Sequence, residues 1–314
     1  MRDRNHFSGD IEKTTMSENA IIPTVLVLGS TGQIGGLITE RLMNSTAVKV
    51  RITSRRKEEV ERQKDLGKDI VYLDLDKPES IGKALAGVDR LFVLTGYTVA
   101  MLTQSKVLID SAKKAGVGHI VHLGIFGEWD CTDPHFAWHQ LIESYIKTSG
   151  IRWTNLHPNM FMENVLAFFA PKGGRFSTYW GKQRMGWVAG EDIANVAAKV
   201  LLDGPEKHHA KDYWMSTEVL DAFDISDILS EVLNKKIEGE LKSHEDFKAV
   251  FTGGNIEVED WYAEGAIEFT RQVSNGEMGY IGTIRNDVPF ITGKPAITFK
   301  QWAVKHKGQL LSNM

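Results

Sequence analysis

The sequence predicts an α/β fold: a doubly wound parallel sheet with helices on both faces and a smaller C-terminal lobe. Three observations carry that expectation. Apolar runs such as Val25-Leu26-Val27-Leu28 are continuous rather than alternating, as in strands buried on both faces. Stretches of helical length separate these runs, which is the pattern of βαβ units. A glycine-spaced turn, Gly29 to Gly35, joins the first run to the first helix.

In chain order, the first strand covers 25–28, and Ile34, Leu37, Ile38 and Leu42 then recur at helical spacing. A second strand reads VKVRITS (48–54), followed by a polar helix, KEEVERQKDL, that ends at Gly67. The third strand is DIVYLDL (69–75), and Pro78 opens a short helix ending near Gly87. The fourth strand is DRLFVLT (89–95), and the next helix ends at Ala115 with Gly116 as its C-cap. HIVHLG (119–124) is the fifth strand, a helix spans 135–148 before Gly150, and IRWTNLHP (151–158) is the sixth strand. Right-handed crossovers make such a series doubly wound. Beyond Pro158 the pattern loosens, with helices expected at 192–202, 224–233 and 258–270, and with Asp192 and its carboxylate as the cap of the first of these. The expected division is an N-terminal arm (1–20), a dinucleotide-binding domain (21–157) and a C-terminal part (158–314) that completes the sheet and forms the lobe.

Composition narrows the function classes. The chain has 314 residues, 42% hydrophobic and 25% charged, as in ordinary globular proteins. Its 37 basic and 41 acidic residues give no basic excess, so nucleic acid is not an expected partner. The single cysteine, Cys131, cannot form an intrachain disulfide, and no CxxC is present. Cys131 is expected to be a buried, inert thiol. No apolar run approaches the roughly 18 residues of a membrane span. The first 20 residues are charged throughout and lack an apolar core, which excludes a secretory leader, and four acidic residues argue against a transit peptide. A disordered arm is expected there, with Met16 a candidate start, and a cytoplasmic location fits the cysteine content.

The segment Gly29-Ser30-Thr31-Gly32-Gln33-Ile34-Gly35 carries the first chemistry. Glycine is needed where the turn is tight, where backbone approaches a pyrophosphate, and where helix packs on strand. The helix N-terminus offers amides and a partial positive charge to the phosphates. Gly29, Thr31, Gly32, Gln33 and Ile34 are therefore candidate cofactor-binding residues. At the end of the second strand an acid would favour NAD and an arginine NADP. Here the residues are Ser54-Arg55-Arg56-Lys57, with no acid before Glu58. Arg55 is the candidate for the 2′-phosphate, with Arg56 adding charge, and the expected cofactor is NADP(H). Asp74 is either an adenine ligand or a turn residue. Thr95 and Gly96, at the end of the fourth strand, complete the cofactor set.

With these residues placed, the chain resembles the NmrA-like branch of the atypical or extended short-chain dehydrogenases/reductases, which are NAD(P)-binding Rossmann proteins. The resemblance rests on TVLVLGSTGQIGG (24–36), SRR (54–56), YLDLDKPES (72–80), GVDRLFVLTG (87–96) and AGVGHIVHLG (115–124). More specific are SGIRWTNLHPNMFMEN (149–164) and VAGEDIANVAAKVL (188–201), and TFKQWAVKH (298–306) resembles the closing helix of such proteins. It implies NADP(H) binding and, in many members, reduction of quinones, dyes or enones. Other members act as non-catalytic, cofactor-sensing regulators through protein contacts. A homodimer or a regulatory protein partner is compatible with either.

The resemblance also exposes a departure. Extended short-chain dehydrogenases carry Y-x-x-x-K, with tyrosine as acid/base, lysine on the nicotinamide ribose, and a serine at the end of the fifth strand. Here His135 and His139 stand in place of tyrosine and lysine, and Gly124 in place of serine. Positions 135, 139 and 143 share one helix face. If the imidazoles act, His135 donates a proton near neutral pH and His139 binds the ribose; otherwise both only satisfy hydrogen bonds. HFAWH lacks the glutamate of a zinc HExxH, and only Asp133 or Cys131 is near as a third ligand, so no metal is expected.

Large apolar residues, all but one aromatic, gather after the fifth and sixth strands: Trp129, Trp138, Met160, Phe161, Phe168, Phe169, Tyr179 and Trp180. Of these, Trp129, Trp138, Met160 and Phe161, together with Asn159, are expected to line a substrate crevice, with Asn159 and Asn164 as polar anchors. The function expected is an NADPH-dependent oxidoreductase acting on a small aromatic or conjugated acceptor. The alternative is an NADP(H)-sensing regulator.

Overall fold

The computed structural model describes residues 22–96, 98–128, 131–252 and 259–314, without the side chains of 251 and 252. The expected arm over 1–20, Met16 and Trp129 lie outside the described residues.

The strands are β1 (Thr24–Val27), β2 (Lys49–Ser54), β3 (Ile70–Tyr72), β4 (Arg90–Val93), β5 (His119–Leu123), β6 (Arg152–Pro158), β7 (Met160–Phe161), β8 (Arg175–Thr178), β9 (Met185–Val188), β10 (Lys211–Ser216), β11 (Glu218–Leu220), β12 (Glu238–Leu241) and β13 (Arg285–Asn286). The helices are α1 (Gln33–Met43), α2 (Lys57–Asp65), α3 (Pro78–Ala84), α4 (Met101–Ala115), α5 (Pro134–Thr148), α6 (Gly190–Asp203), α7 (Pro205–His208), α8 (Ala222–Leu233), α9 (Lys248–Thr252), α10 (Asp260–Ser274), α11 (Val288–Thr292), α12 (Phe299–Lys305) and α13 (Lys307–Ser312).

The main sheet runs β13-β10-β6-β5-β4-β1-β2-β3. All its pairs are parallel except β10 with β13. This is the Rossmann arrangement: the chain winds outward from β1 to β3, then returns to β4 on the other side of β1. That reversal opens a crevice at the C-terminal ends of β1 and β4. Val25, Leu26, Val27, Leu91 and Phe92 are fully buried, which is why these strands read as continuous apolar runs. The C-terminal part supplies β10 and β13 to the sheet.

One helical layer packs α1 and α6 on the sheet, around Ile38, Leu42, Val196 and Val200. The other uses α3, α4 and α5, around Ile81, Leu108, Ile142 and Ile146. A third core, around Phe176, Trp180, Trp187, Leu229 and Phe299, joins the small sheets β11-β9-β7 and β12-β8 to α8, α10 and α12. Gly116 ends α4 in the left-handed conformation at φ 81°, as its place in the sequence requires.

Among the boundaries that differ from the sequence reading, three have a local cause in hydrogen bonding. β3 is an edge strand that stops at Tyr72, because the Ser80 hydroxyl takes the Asp74 amide at 3.0 Å. α8 starts at Ala222, held by a reciprocal capping box between Asp221 and Asp224. α6 starts at Gly190, so Asp192 is not its cap. The Asp192 carboxylate instead accepts from the Ile297 amide at 2.7 Å.

Candidate functional site

The glycine turn sits at the switch point. Gly29 has φ +64°, a region that favours glycine. A Cβ on Gly35 would fall 2.5 Å from the Gly29 carbonyl carbon and 2.9 Å from Leu28 O, so the helix can lie on the turn only with glycine there. No side chain caps α1, and its first turn carries no acid. Its amide end is therefore left for an anion. Thr31, Gly32 and Gln33 are exposed at this mouth, and Ile34 is buried beneath it.

Ser30 links the turn to β2: its hydroxyl donates to Thr53 O at 2.9 Å and accepts from Thr53 N at 3.0 Å. This places Ser54, Arg55 and Arg56 beside the turn. Arg55 and Arg56 are exposed, and Arg56 occupies the N-cap position of α2. Asp74 is held by its own neighbourhood, accepting from Tyr72 Oη at 3.1 Å and from the Asp76 amide at 3.2 Å, with Lys77 at 3.6 Å. Those contacts favour the turn role for Asp74 over the adenine role.

A cavity of about 590 Å³ runs from Gly29, Gly32, Gln33, Ile34 and Gly35 past Thr95 and Gly96 to Gly124, His135 and His139. It then opens into a chamber walled by Met160, Phe161, Phe168, Phe169 and Trp180. Phe126, Phe136, Phe247, Tyr262 and Phe269 complete the wall. Sequence reasoning missed these five. Phe247, Tyr262 and Phe269 lie more than 100 residues from the dinucleotide turn, and no local pattern points them inward. Phe136 stacks on Phe269 at 4.7 Å, and Phe169 on Phe247 at 5.8 Å.

Two of the residues expected on the substrate side do other work. Trp138 packs against the α3/α4 core rather than the cavity, because on α5 it is rotated about 100° away from His139. Asn159 does reach the cavity wall, but its amide is spent. It donates to Ile281 O at 2.9 Å and Ser216 Oγ at 3.2 Å, and accepts from the Met160 amide at 2.9 Å. Asn159 is therefore a structural tie, not a substrate anchor. Asn164 lines the cavity as expected, while Tyr179 belongs to the third core.

His135 and His139 both line the cavity. Their rings meet edge to face at 5.1 Å, and His135 Nε2 pairs with Tyr262 Oη at 3.0 Å. Burial pushes His135 down to about 4, and burial with the neighbouring histidines pushes His139 well below the usual range. Both are neutral imidazoles at pH 7, so His135 does not titrate near neutrality as the sequence reading supposed.

Beneath Gly124 lies a second polar group of residues. Glu143, one turn after His139 on α5, is buried, and burial raises its pKa against the pull of His157 and Lys147. His157 Nδ1 faces Ile125 O at 2.9 Å, and Nε2 faces Asp212 Oδ1 at 3.0 Å. Burial disfavours its charge, yet Asp212, Glu143 and the Ile125 carbonyl raise its pKa overall. Acceptors face both ring nitrogens of His157, which favours its charged form. Glu143, His157 and Asp212 each offer a ligand atom within 4.8 Å of the others. The His157 ring nitrogens are already engaged by Ile125 O and Asp212 Oδ1.

Cys131 is half-buried, with Sγ 2.7 Å from Tyr280 Oη.

Glu163 ties three distant segments together. Its carboxylate accepts from the Gly190 amide at 2.9 and 3.0 Å and from Trp302 Nε1 at 3.2 Å. HPNMFMEN, GEDIA and TFKQW thus meet at one buried group.

The NmrA-like family profile matches residues 23–284. The chain belongs to the NmrA-like family. Among its relatives is an NAD(P)H azoreductase of Xenophilus azovorans, 26% identical over 285 residues, covering 90% of this chain and 97% of the relative. The structure of Citrobacter sp. triphenylmethane reductase complexed with NADP(H) superposes with a TM-score of 0.77 at 26% identity, over 90% of this chain and 99% of that one. NmrA, a negative transcriptional regulator, shares the fold at a TM-score of 0.69 and 14% identity, over 93% of this chain and 97% of that one. No described helix is long and apolar enough to cross a membrane.

Proposed function

We propose that this chain is an NADPH-dependent oxidoreductase whose acceptor is a flat aromatic or conjugated molecule of quinone, enone or dye type. The observation that carries the reading is the single cavity joining a phosphate-binding turn to an aromatic chamber. The azoreductase and triphenylmethane reductase relatives, named for NAD(P)H and NADP(H), support it. The residues fit such a cofactor: Gly29, Gly32 and the α1 amides for the pyrophosphate, Arg55 and Arg56 for the 2′-phosphate, Thr95 and Gly96 along its length, and His139 at the nicotinamide ribose. When bound, the reduced nicotinamide supplies a hydride. The chain's own contribution is to hold the acceptor flat against that end of the cavity and to exclude water.

This reading needs no Tyr–Lys pair. A polarised acceptor takes hydride without a strong acid touching it, and the neutral His135 and His139 offer N–H groups rather than a charge. NADPH and NADH titrations of the full chain, followed by NADPH absorbance with menadione, an enone, an azo dye and crystal violet, test it. Tighter binding of NADPH and oxidation with at least one acceptor are expected. Tight binding with flat absorbance across the panel would replace the enzyme by a cofactor-sensing regulator.

A further inference from the structure

The geometry points to Tyr262 as a positioning residue that suits this cavity to acceptors bearing a carbonyl oxygen: its hydroxyl occupies Nε2 of His135 and leaves Nδ1–H as the donor to that oxygen. The inference rests on the oxidoreductase reading above.

Tyr262 reaches the cavity from α10, and His135 from the first turn of α5. Tyr262 Oη lies 3.0 Å from His135 Nε2, and the two rings meet edge to face at 4.7 Å. α10 is held in that place at three levels. At its N-cap, Glu259 accepts from the Val99 amide at 2.6 Å, in the loop after β4. One turn past Tyr262, Gly265 brings the two helices together: a Cβ there would already touch His135 N at 3.6 Å and Pro134 Cβ at 3.7 Å. Further along, Phe269 stacks on Phe136 at 4.7 Å, and Gln272 Nε2 donates to Thr132 Oγ1 at 3.0 Å. The meeting of phenol and imidazole is thus built by two packed helices.

A phenol is a stronger proton donor than a neutral imidazole, and a bare imidazole nitrogen is the better acceptor, so the Tyr262 O–H donates to Nε2. A neutral histidine whose Nε2 accepts carries its proton on Nδ1. His135 Nδ1 makes no hydrogen bond among the described residues and, unlike Nδ1 of His139, is not buried. Other donors of the chamber wall already donate to protein atoms: Thr270 Oγ1 to Ile267 O at 2.7 Å, Asn164 Nδ2 to Met160 Sδ at 3.0 Å, and Asn159 Nδ2 to Ile281 O. The Trp180 indole nitrogen is buried. The Nδ1–H of His135 therefore stands as the donor this wall offers to an acceptor.

The electron balance identifies the acceptor it serves. A quinone or enone takes the hydride with its electron pair at carbon, and the π pair shifts onto the carbonyl oxygen; the nicotinamide is oxidised and the acceptor reduced. An N–H aimed at that oxygen gains strength as the charge develops. The N–H bond does not break, and water gives the oxygen its proton. A carbocation dye takes the hydride at carbon and develops no oxyanion, so it draws nothing from this donor.

Tyr262→Phe keeps the ring and removes the O–H. The ratio of kcat/KM for menadione to that for crystal violet should fall about tenfold, the worth of one hydrogen bond. In a His135→Ala background the same change should move the ratio less than about twofold, because Tyr262 acts through His135. Long-range ¹H–¹⁵N spectra of the ligand-free chain should show His135 protonated at Nδ1, and Tyr262→Phe should shift it towards the Nε2–H form. An Nε2–H His135 in the unaltered chain, an unchanged ratio in Tyr262→Phe, or the same fall with and without His135 each overturns the proposal and leaves the oxidoreductase reading standing. Bound NADPH with neither acceptor reduced overturns that reading, and the carbonyl selection with it.

Discussion

The Ser30 hydroxyl is bonded twice to Thr53, donating to its carbonyl at 2.9 Å and accepting from its amide at 3.0 Å. The glycine turn and the basic end of β2 are therefore one rigid unit. Arg55→Ala should weaken NADPH binding about tenfold, equivalent to ~1.4 kcal/mol, and leave NADH binding unchanged. Ser30→Ala should weaken both cofactors and narrow the difference between them. Fluorescence titration of both variants with both cofactors reads this directly. Equal losses for NADH and NADPH in Arg55→Ala would assign the 2′-phosphate to another group.

Gly35 carries the closest approach in the turn. Gly35→Ala puts a methyl against the Gly29 carbonyl carbon and Leu28 O, at 2.5 and 2.9 Å. Backbone cannot yield there as a flexible side chain would. The variant should lose about 2 kcal/mol of stability, and NADPH should no longer raise its melting temperature. Calorimetry with and without NADPH separates the two effects.

Gly124 and Glu143 compete for one volume. Gly124→Ser should cost about 2 kcal/mol, because the buried carboxyl has nowhere to go. Glu143→Ala made in that background should recover about 1 kcal/mol or more relative to additivity. A double-mutant cycle by urea denaturation measures the coupling. Additive effects would mean that the carboxyl relocates freely.

Asp133 caps α5, accepting from the Phe136 amide at 3.1 Å, while burial raises its pKa to about 7 from an ordinary 3.8. A raised folded pKa means that the stability held by the protonated form is complete below pH 3.8 and is lost as pH rises through about 7. Asp133→Asn keeps a side-chain oxygen for the cap and removes the titration. Its unfolding free energy should therefore fall less than that of the wild type across this window. Denaturation series at both ends of the window test the sign, and parallel curves would contradict it.

What the sequence made readable was local. The turn Gly29 to Gly35, its flanking strand and helix, and Arg55 lie within one βαβ unit, where spacing determines placement. Trp138 was misread because its side of α5 is defined only once α4 packs against that helix. Asn159 looked like an anchor because its partners, Ser216 and Ile281, are 57 and 122 residues away. Glu143 was visible on the same face as His135 and His139, but its contact with Gly124 crosses a strand-to-helix gap that sequence spacing does not encode. Phe247 and Tyr262 had no local signal, since they face the cavity only through tertiary packing.

The meeting of Glu163 with Gly190 and Trp302 also sets an order of assembly. The dinucleotide turn is complete once the first strands and helices exist, whereas the chamber wall is anchored by a contact spanning 139 residues. On a ribosome, the nascent chain can form its phosphate cradle long before it can close its acceptor chamber. Until α12 emerges, the aromatic wall has no indole to hold its buried carboxylate, so the half-made protein presents an apolar face to its surroundings. That interval is when the chain is most exposed to aggregation and when a chaperone has the most to cover.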